Sequence, residues 1–254
     1  MILCLDVGNT NIKFGLFDGD NLSHSWRMHS DVLKTADDYG INVTSFFNRV
    51  GLDLHIVDGI IISSVVPAIN YTLEHMCKLY FDIVPLFVSP GIKTGLNIRY
   101  DDAKELGADR IVNSVSAFER FGGPLVVIDV GTALTFNAIS KNGEFLGGAI
   151  CPGIRIAMKS LAANTAKLPN VELMKPSSVI GKNTKGCIQS GFFYGYVGIM
   201  NYMIDKFRKE LGSDTKVVAT GGLVNLISDE CEEHMEIDPV LTLTGLKIIY
   251  DKNI

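Results

Sequence analysis

The strongest constraint on this chain is a pattern written twice. The first copy runs Leu3-Cys4-Leu5-Asp6-Val7-Gly8-Asn9-Thr10, then Ile12-Lys13-Phe14-Gly15-Leu16-Phe17, then the turn pair Asp18-Gly19. The second runs Leu125-Val126-Val127-Ile128-Asp129-Val130-Gly131-Thr132, then Leu134-Thr135-Phe136-Asn137-Ala138-Ile139, then Asn142-Gly143. Each copy reads as an apolar strand, a polar turn, a second apolar strand and a D-G or N-G turn leading into a third. Matching Asp6-Val7-Gly8 to Asp129-Val130-Gly131 aligns the strands and the turn signals together, which a duplicated domain explains better than chance. The join falls at Phe121-Gly122-Gly123-Pro124, where two glycines and a proline end a helical pattern. Two lobes are therefore predicted, residues 1–121 and 122–254, facing each other across a cleft, a common location for ligands.

Strand and helix patterns alternate between the hairpins. Asp58–Val66 is β-branched and apolar, as a buried strand is, and Ile69–Phe81 has helical spacing. Asp109–Phe121 reads as a helix capped by Asp109, and Ile188–Glu210 as a second long helix. Lys216–Thr220 is a strand ending at the tight turn Gly221-Gly222. The predicted class is α/β, each lobe opening with three antiparallel strands.

Composition narrows the function. With 47% hydrophobic and 20% charged residues in 254, the chain has ample material for a core. A net charge of -5 leaves no basic surplus for a phosphate backbone, which argues against a nucleic-acid partner. The five cysteines show no C-x-x-C and no histidine at metal-ligand spacing, so reduced thiols in a cytoplasmic protein are expected. The N-terminal apolar run stops at Asp6, unlike a signal peptide, and Ile56–Pro67 is broken well short of the ~20 residues of a spanning helix, so no membrane partner is expected. The five histidines are scattered, and the acidic run Asp229–Glu233 reads as a solvated helix face.

An aspartate at a strand end followed by a glycine-containing turn suits phosphate chemistry. Glycine lets backbone N–H groups approach phosphate oxygens without side-chain obstruction. Asn9, Thr10 and Thr132 add amide or hydroxyl hydrogen bonds, and Lys13 adds positive charge. Asp6 is a candidate Mg²⁺ ligand, since that ion takes one or two carboxylates plus substrate phosphates. Alone, each turn is as well explained by an ordinary hairpin.

The two aspartate turns together with Gly221-Gly222 resemble the two phosphate loops and the adenosine loop of the acetate kinase, sugar kinase, heat-shock-protein-70 and actin superfamily, and no Walker A sequence competes. Further stretches narrow the resemblance: Leu106-Gly107-Ala108-Asp109-Arg110 with Asn113, Gly148-Ala149-Ile150-Cys151-Pro152-Gly153, Gly181-Lys182-Asn183-Thr184, and Ile188-Gln189-Ser190-Gly191 with Gly195-Tyr196. With the first turn they look like type III pantothenate kinases over residues 1 to about 224; Cys151 is the one departure within them.

That resemblance implies two actin-like, ribonuclease H-like lobes and phosphate transfer from ATP to pantothenate. It implies ATP contacts at Asp6, Val7, Gly8, Asn9, Thr10, Asn11, Ile12, Lys13 and Thr132, and a K⁺ or NH₄⁺ ion at Asp129. Pantothenate contacts are implied at Tyr100, Gly107, Ala108, Asp109 and Arg110, with Thr184 offered by the partner subunit of a homodimer. Asp109 is the implied catalytic base, in line with the general need of a carboxylate to take the proton of an attacking alcohol. From the residues alone, Asp109 also reads as a helix cap, Arg110 as a partner for Glu105, and Tyr100 as a core tyrosine. Phe192, Phe193, Tyr194, Tyr196, Met200, Tyr202 and Met203 fit either a dimer interface or the second lobe's own core. An actin-like regulatory protein and a phosphate-releasing hydrolase of the same superfamily are the alternatives.

Overall fold

The computed structural model describes all residues from Met1 to Ile254. The chain forms two compact units, one of residues 1–96, 101–116 and 240–254, the other of residues 97–100 and 117–239. Against the predicted single division at 121/122, residues 97–100 and 117–121 join the second unit and residues 240–254 return to the first, the last for a reason of packing given below.

The first unit holds strands β1 (Ile2–Val7), β2 (Asn11–Asp18) and β3 (Asn21–His29), helix α1 (Ala36–Arg49), strand β4 (Gly59–Ser64), helix α2 (Asn70–Phe81) and the short strand β5 (Leu86–Phe87). Strand β6 (Asn97–Ile98) crosses to the second unit, and helix α3 (Ala108–Phe121) begins in the first. The second unit continues with β7 (Leu125–Val130), β8 (Ala133–Ile139), β9 (Glu144–Pro152), α4 (Ile154–Ala163), α5 (Thr184–Leu211), β10 (Lys216–Thr220), α6 (Val224–Ile227) and β11 (Glu236–Ile237). Helix α7 (Leu241–Asp251) ends the chain. No helix is long and apolar enough to cross a membrane.

Sheet topology confirms the duplication. The first sheet runs β3-β2-β1-β4-β5, and the second runs β11-β10-β7-β8-β9-β6, so read from its other edge it repeats the first and adds β6 outside β9. In both, three antiparallel strands are followed by two parallel ones.

Both faces of β1 are covered, which is why it reads as an apolar run from Ile2 to Leu5 with no polar alternation. Side chains alternate along a strand. Leu3, Leu5 and Val7 therefore pack with Ile60, Ile62 and residues of α1 and α2, including Tyr39, Phe47, Leu73 and Met76. Cys4 and Ile61 face the other way, onto Val112 and Val115 of α3 and Leu243, Leu246 and Ile249 of α7. Asp6 and Ser63 fall on this second face by the same period. Burial of α7 against β1 is what returns residues 240–254 to the first unit, a long-range contact that a reading along the chain does not reveal.

The α7–α3 contact rests on Gly245, where an added Cβ would lie 2.2 Å from the carbonyl oxygen of Val112. Helix propensity favours alanine over glycine by ~1 kcal/mol. Gly245→Ala is nevertheless expected to destabilise the chain by about 1–3 kcal/mol, because backbone meets backbone and one helix must move. Urea unfolding measures it; a gain in stability would refute the close packing.

In the second unit Val126, Ile128, Val130, Val217 and Ala219 form one face, packed with Ile154, Phe193, Tyr196, Met200 and Ile204. Phe193, Tyr196 and Met200 thus serve the unit's own core, and only part of the aromatic set on α5 stays available to an interface; Tyr202 is exposed. The acidic run Asp229–Glu233 forms no helix face. It begins in a single 3₁₀ turn, Ser228–Glu230, and its Glu230 and Glu233 pair with Lys175 and Arg208.

Candidate active site

In the first unit, β1 and β2 are joined by the turn Gly8-Asn9-Thr10, closed by the Gly8 N–H donating to the Asn11 carbonyl at 3.0 Å. The register sets Asp6 opposite Lys13, and the ammonium stands 3.3 Å from the carboxylate. Asp6 is buried, and burial raises its pKa above the ordinary carboxylate value although Lys13 pulls it down. The turn is also tied from β3's end. Ser30 donates its hydroxyl to the Gly8 carbonyl at 2.5 Å and its N–H to the Thr10 carbonyl at 3.1 Å. The buried Tyr39 hydroxyl accepts the Asp31 N–H at 3.0 Å and donates to the Asp31 carbonyl at 2.9 Å, so the turn is braced back to α1. Sequence gave no hint of Ser30, since a lone serine after a strand carries no motif.

Gly107 precedes the first turn of α3. The helix starts at Ala108, so Asp109 is its second residue and not the predicted cap. Its carboxylate accepts the Arg110 N–H at 2.8 Å and folds back over Gly107, where a Cβ would lie 2.5 Å from Oδ1. A side chain at this position would displace the carboxylate from where it lies. Burial is the largest influence on Asp109 and raises its pKa. The Arg110 N–H lowers it, the Asp6 charge raises it, and the Arg110 charge lowers it. Two carboxylates more than 100 residues apart in sequence therefore share one face of the first unit and interact. Arg110 is itself buried, 6% exposed.

The second unit repeats the turn in shorter form. β7 ends at Val130 and β8 starts at Ala133, leaving only Gly131-Thr132 between them. Gly153 backs this turn: its N–H donates to the Thr132 carbonyl at 3.1 Å, and a Cβ would lie 2.2 Å from that oxygen. This explains the glycine of the Pro152-Gly153 pair. Gly221 follows β10 with φ +108°, and a Cβ there would lie 2.6 Å from Asp129 Oδ1 and 2.6 Å from the Val130 backbone. Asp129 thus lies over a residue that only glycine fits.

Tyr100 belongs to the second unit, its ring edge-on to Phe145 at 6.0 Å. Thr184 opens α5 behind the Asn183 cap, whose side chain accepts the Gly186 N–H at 2.8 Å. It lines an apolar groove with Ile188, Phe192, Gly195 and Ile199, a lining that includes none of the other candidate site residues. Asp6 to Lys13 and Gly107 to Arg110 thus belong to one unit, and Tyr100, Asp129, Thr132 and Thr184 to the other, with Thr184 on a groove that none of the other candidates lines. No group of three or more His, Cys, Asp or Glu side chains is placed to hold a metal by itself.

Comparison with known proteins accords with this geometry. The ethanolamine utilization protein EutJ of Carboxydothermus hydrogenoformans superposes with a TM-score of 0.56 at 14% identity, covering 97% of this chain and 89% of its own. Component A of (R)-2-hydroxyglutaryl-CoA dehydratase from Acidaminococcus fermentans does so at 0.51 and 12% identity, covering 98% and 96%. Both show the fold, a two-lobed actin-like α/β architecture, and nothing more. A type III pantothenate kinase from Geobacillus sp. (strain WCH70) is 49% identical over 254 residues, all of this chain and 98% of its own length. The family model of type III pantothenate kinases matches residues 2–206. The duplicated sheets, the aspartate turns and this full-length similarity agree, and the chain belongs to the type III pantothenate kinase family.

Proposed function

We propose that the protein transfers the γ-phosphoryl group of ATP to the terminal hydroxyl of pantothenate, giving 4′-phosphopantothenate, the first step of coenzyme A biosynthesis. The observation that carries this reading is Asp109, a half-buried carboxylate in the first turn of α3 that folds back over Gly107, with its pKa raised chiefly by loss of solvation and also by the Asp6 charge. A base with a raised pKa accepts a proton more readily, so the ionised Asp109 takes the hydroxyl proton as the oxygen attacks. Arg110 supplies a planar fork of donors for substrate oxygens, with Gly107 and Ala108 beside it at the start of α3. The turn from Asp6 through Val7, Gly8, Asn9, Thr10, Asn11 and Ile12 to Lys13 offers N–H groups and one ammonium to the phosphates, and Thr132 offers a hydroxyl at the equivalent turn of the second unit.

Mg²⁺ fits at Asp6, because one carboxylate plus phosphate oxygens satisfies its preference, and K⁺ or NH₄⁺ fits at Asp129, a hard oxygen donor held over Gly221. When bound, these cations neutralise charge that develops on the transferring phosphoryl group. An actin-like regulatory protein would have no use for a base of raised pKa beside the phosphate turn. The deciding assay supplies ATP, Mg²⁺, K⁺ and a panel of small alcohols, and compares transfer to pantothenate with release of phosphate to water. Release to water alone would overturn the reading.

The working unit we propose is a cytoplasmic homodimer in which Thr184 serves the partner's acceptor site. Its support is the apolar groove around Thr184, which a second copy would cover. Mixing folded, inactive Asp109→Asn with a folded, inactive bulky Thr184→Trp and allowing subunit exchange is expected to restore part of the activity, since a mixed dimer holds one intact site. Confirmed exchange with no recovery would refute the shared site.

A further inference from the structure

The duplication places the same pair of groups at both strand ends. In the first unit Asp6 stands beside Ser63 across the parallel β1–β4 pair. In the second, Asp129 stands beside Thr220 across the parallel β7–β10 pair. Paired residues of neighbouring strands put their side chains on one face. The core assignments agree: Leu5, Val7 and Ile62 face away from Asp6 and Ser63, and Ile128, Val130 and Ala219 face away from Asp129 and Thr220.

Ser63 and Thr220 are each 1% exposed, and neither hydroxyl oxygen has a hydrogen-bond partner in the protein. A hydroxyl buried without a partner is costly, and such groups are few in folded chains. The cost recurs here at equivalent positions of two units whose remaining sequence has diverged, and each time beside a strand-end carboxylate. Hydroxyl and carboxylate together form a hard-oxygen pair of the kind that Mg²⁺ and the alkali cations prefer.

We propose that Ser63 and Thr220 are cation-site residues, Ser63 joining Asp6 at Mg²⁺ or one of its waters and Thr220 joining Asp129 at the monovalent ion. This rests on the cation positions proposed above. The unsatisfied hydroxyls of the free protein are then satisfied only when the cations bind, which couples occupancy of each site to the stability of its sheet.

Thermal melts of the full chain test it, with Mg²⁺ and ATP as one probe and K⁺ against Na⁺ as the other. Thr220→Val is nearly isosteric. It is expected to raise the melting temperature without K⁺ by about 2 °C, because an unsatisfied hydroxyl is removed, and to raise the K⁺ concentration for half-maximal stabilisation about fivefold or more. Thr220→Ser keeps the hydroxyl and is expected to keep the K⁺ midpoint despite lower stability. Ser63→Ala is expected to leave the ligand-free melt equal or higher and to weaken stabilisation by ATP only when Mg²⁺ is present. Ligand-free melts that fall, or cation midpoints that stay fixed, would overturn the proposal. Asp129→Asn and Asp6→Asn separate the two kinds of failure. If they shift the midpoints and the hydroxyl variants do not, the hydroxyl role alone is wrong; if neither set does, the cation positions fall and this proposal with them.

Discussion

Asp109→Asn is expected to reduce turnover by about 10²-fold or more while leaving the chain folded and at least as stable at neutral pH. The amide keeps the shape of the carboxylate and can still accept the Arg110 N–H, but it cannot take a proton. The stability half follows from linkage. Burial raises the folded-state pKa of Asp109 above 3.8, the ordinary value, so the folded chain binds its proton to higher pH than the unfolded chain does. The stability from this group is full below 3.8 and is lost as pH rises through the folded-state value. At neutral pH the ionised carboxylate is therefore a burden on the fold, and asparagine removes it. Activity runs the opposite way, because the base must be ionised: kcat/KM should fall on the acid side with a midpoint above 3.8. That limb belongs to the coupled Asp6–Asp109 pair, so it should move, not merely shrink, in Asp6→Asn. A pH profile of kcat/KM with a thermal melt at neutral pH measures both halves. Near-normal turnover in a folded variant would remove Asp109 from the chemistry.

Gly221→Ala is expected to cost about 3 kcal/mol of stability or more and to abolish activity in whatever fraction folds. Two penalties add at one atom. The residue holds φ +108°, which an L side chain adopts only at a cost of ~1–3 kcal/mol. The new Cβ would also press on Asp129 Oδ1 and on the Val130 backbone, each at 2.6 Å, and overpacking of this kind costs ~1–3 kcal/mol. Relief by moving Asp129 would displace the carboxylate that K⁺ is proposed to use, so the folded fraction should no longer be stabilised by K⁺ in a thermal melt. Gly222→Ala is the control, since its Cβ would meet nothing within 4 Å. Equal tolerance at the two positions would contradict the close approach of Gly221 to Asp129.

Local pattern carried much of this protein. Period-two apolar runs and D-G or N-G turns act over a few residues, so β1, β2, β7 and β8 and the equivalence of Asp6 with Asp129 were readable directly. The same local physics marked α2, α3, α5 and β10 to within a few residues of their observed bounds. It also flagged the turn at Gly221, whereas Gly107 and Gly153 stood out only through the family resemblance, and the atoms these glycines approach lie elsewhere: the Val130 backbone, the Asp109 carboxylate and the Thr132 carbonyl. What sequence pattern could not decide was pairing between distant segments. Whether Ser63 lies beside Asp6, or Thr220 beside Asp129, depends on which strands become neighbours in the sheet, and an isolated serine or threonine gives no sign of it. The raised pKa of Asp109 has the same origin, since burial is a property of the packed unit and not of the residue. Helix α7 shows the limit most plainly. Its apolar face is visible in the sequence, but only the face of β1 opposite α1 and α2, covered by Leu243, Leu246 and Ile249, assigns those last residues to the first unit.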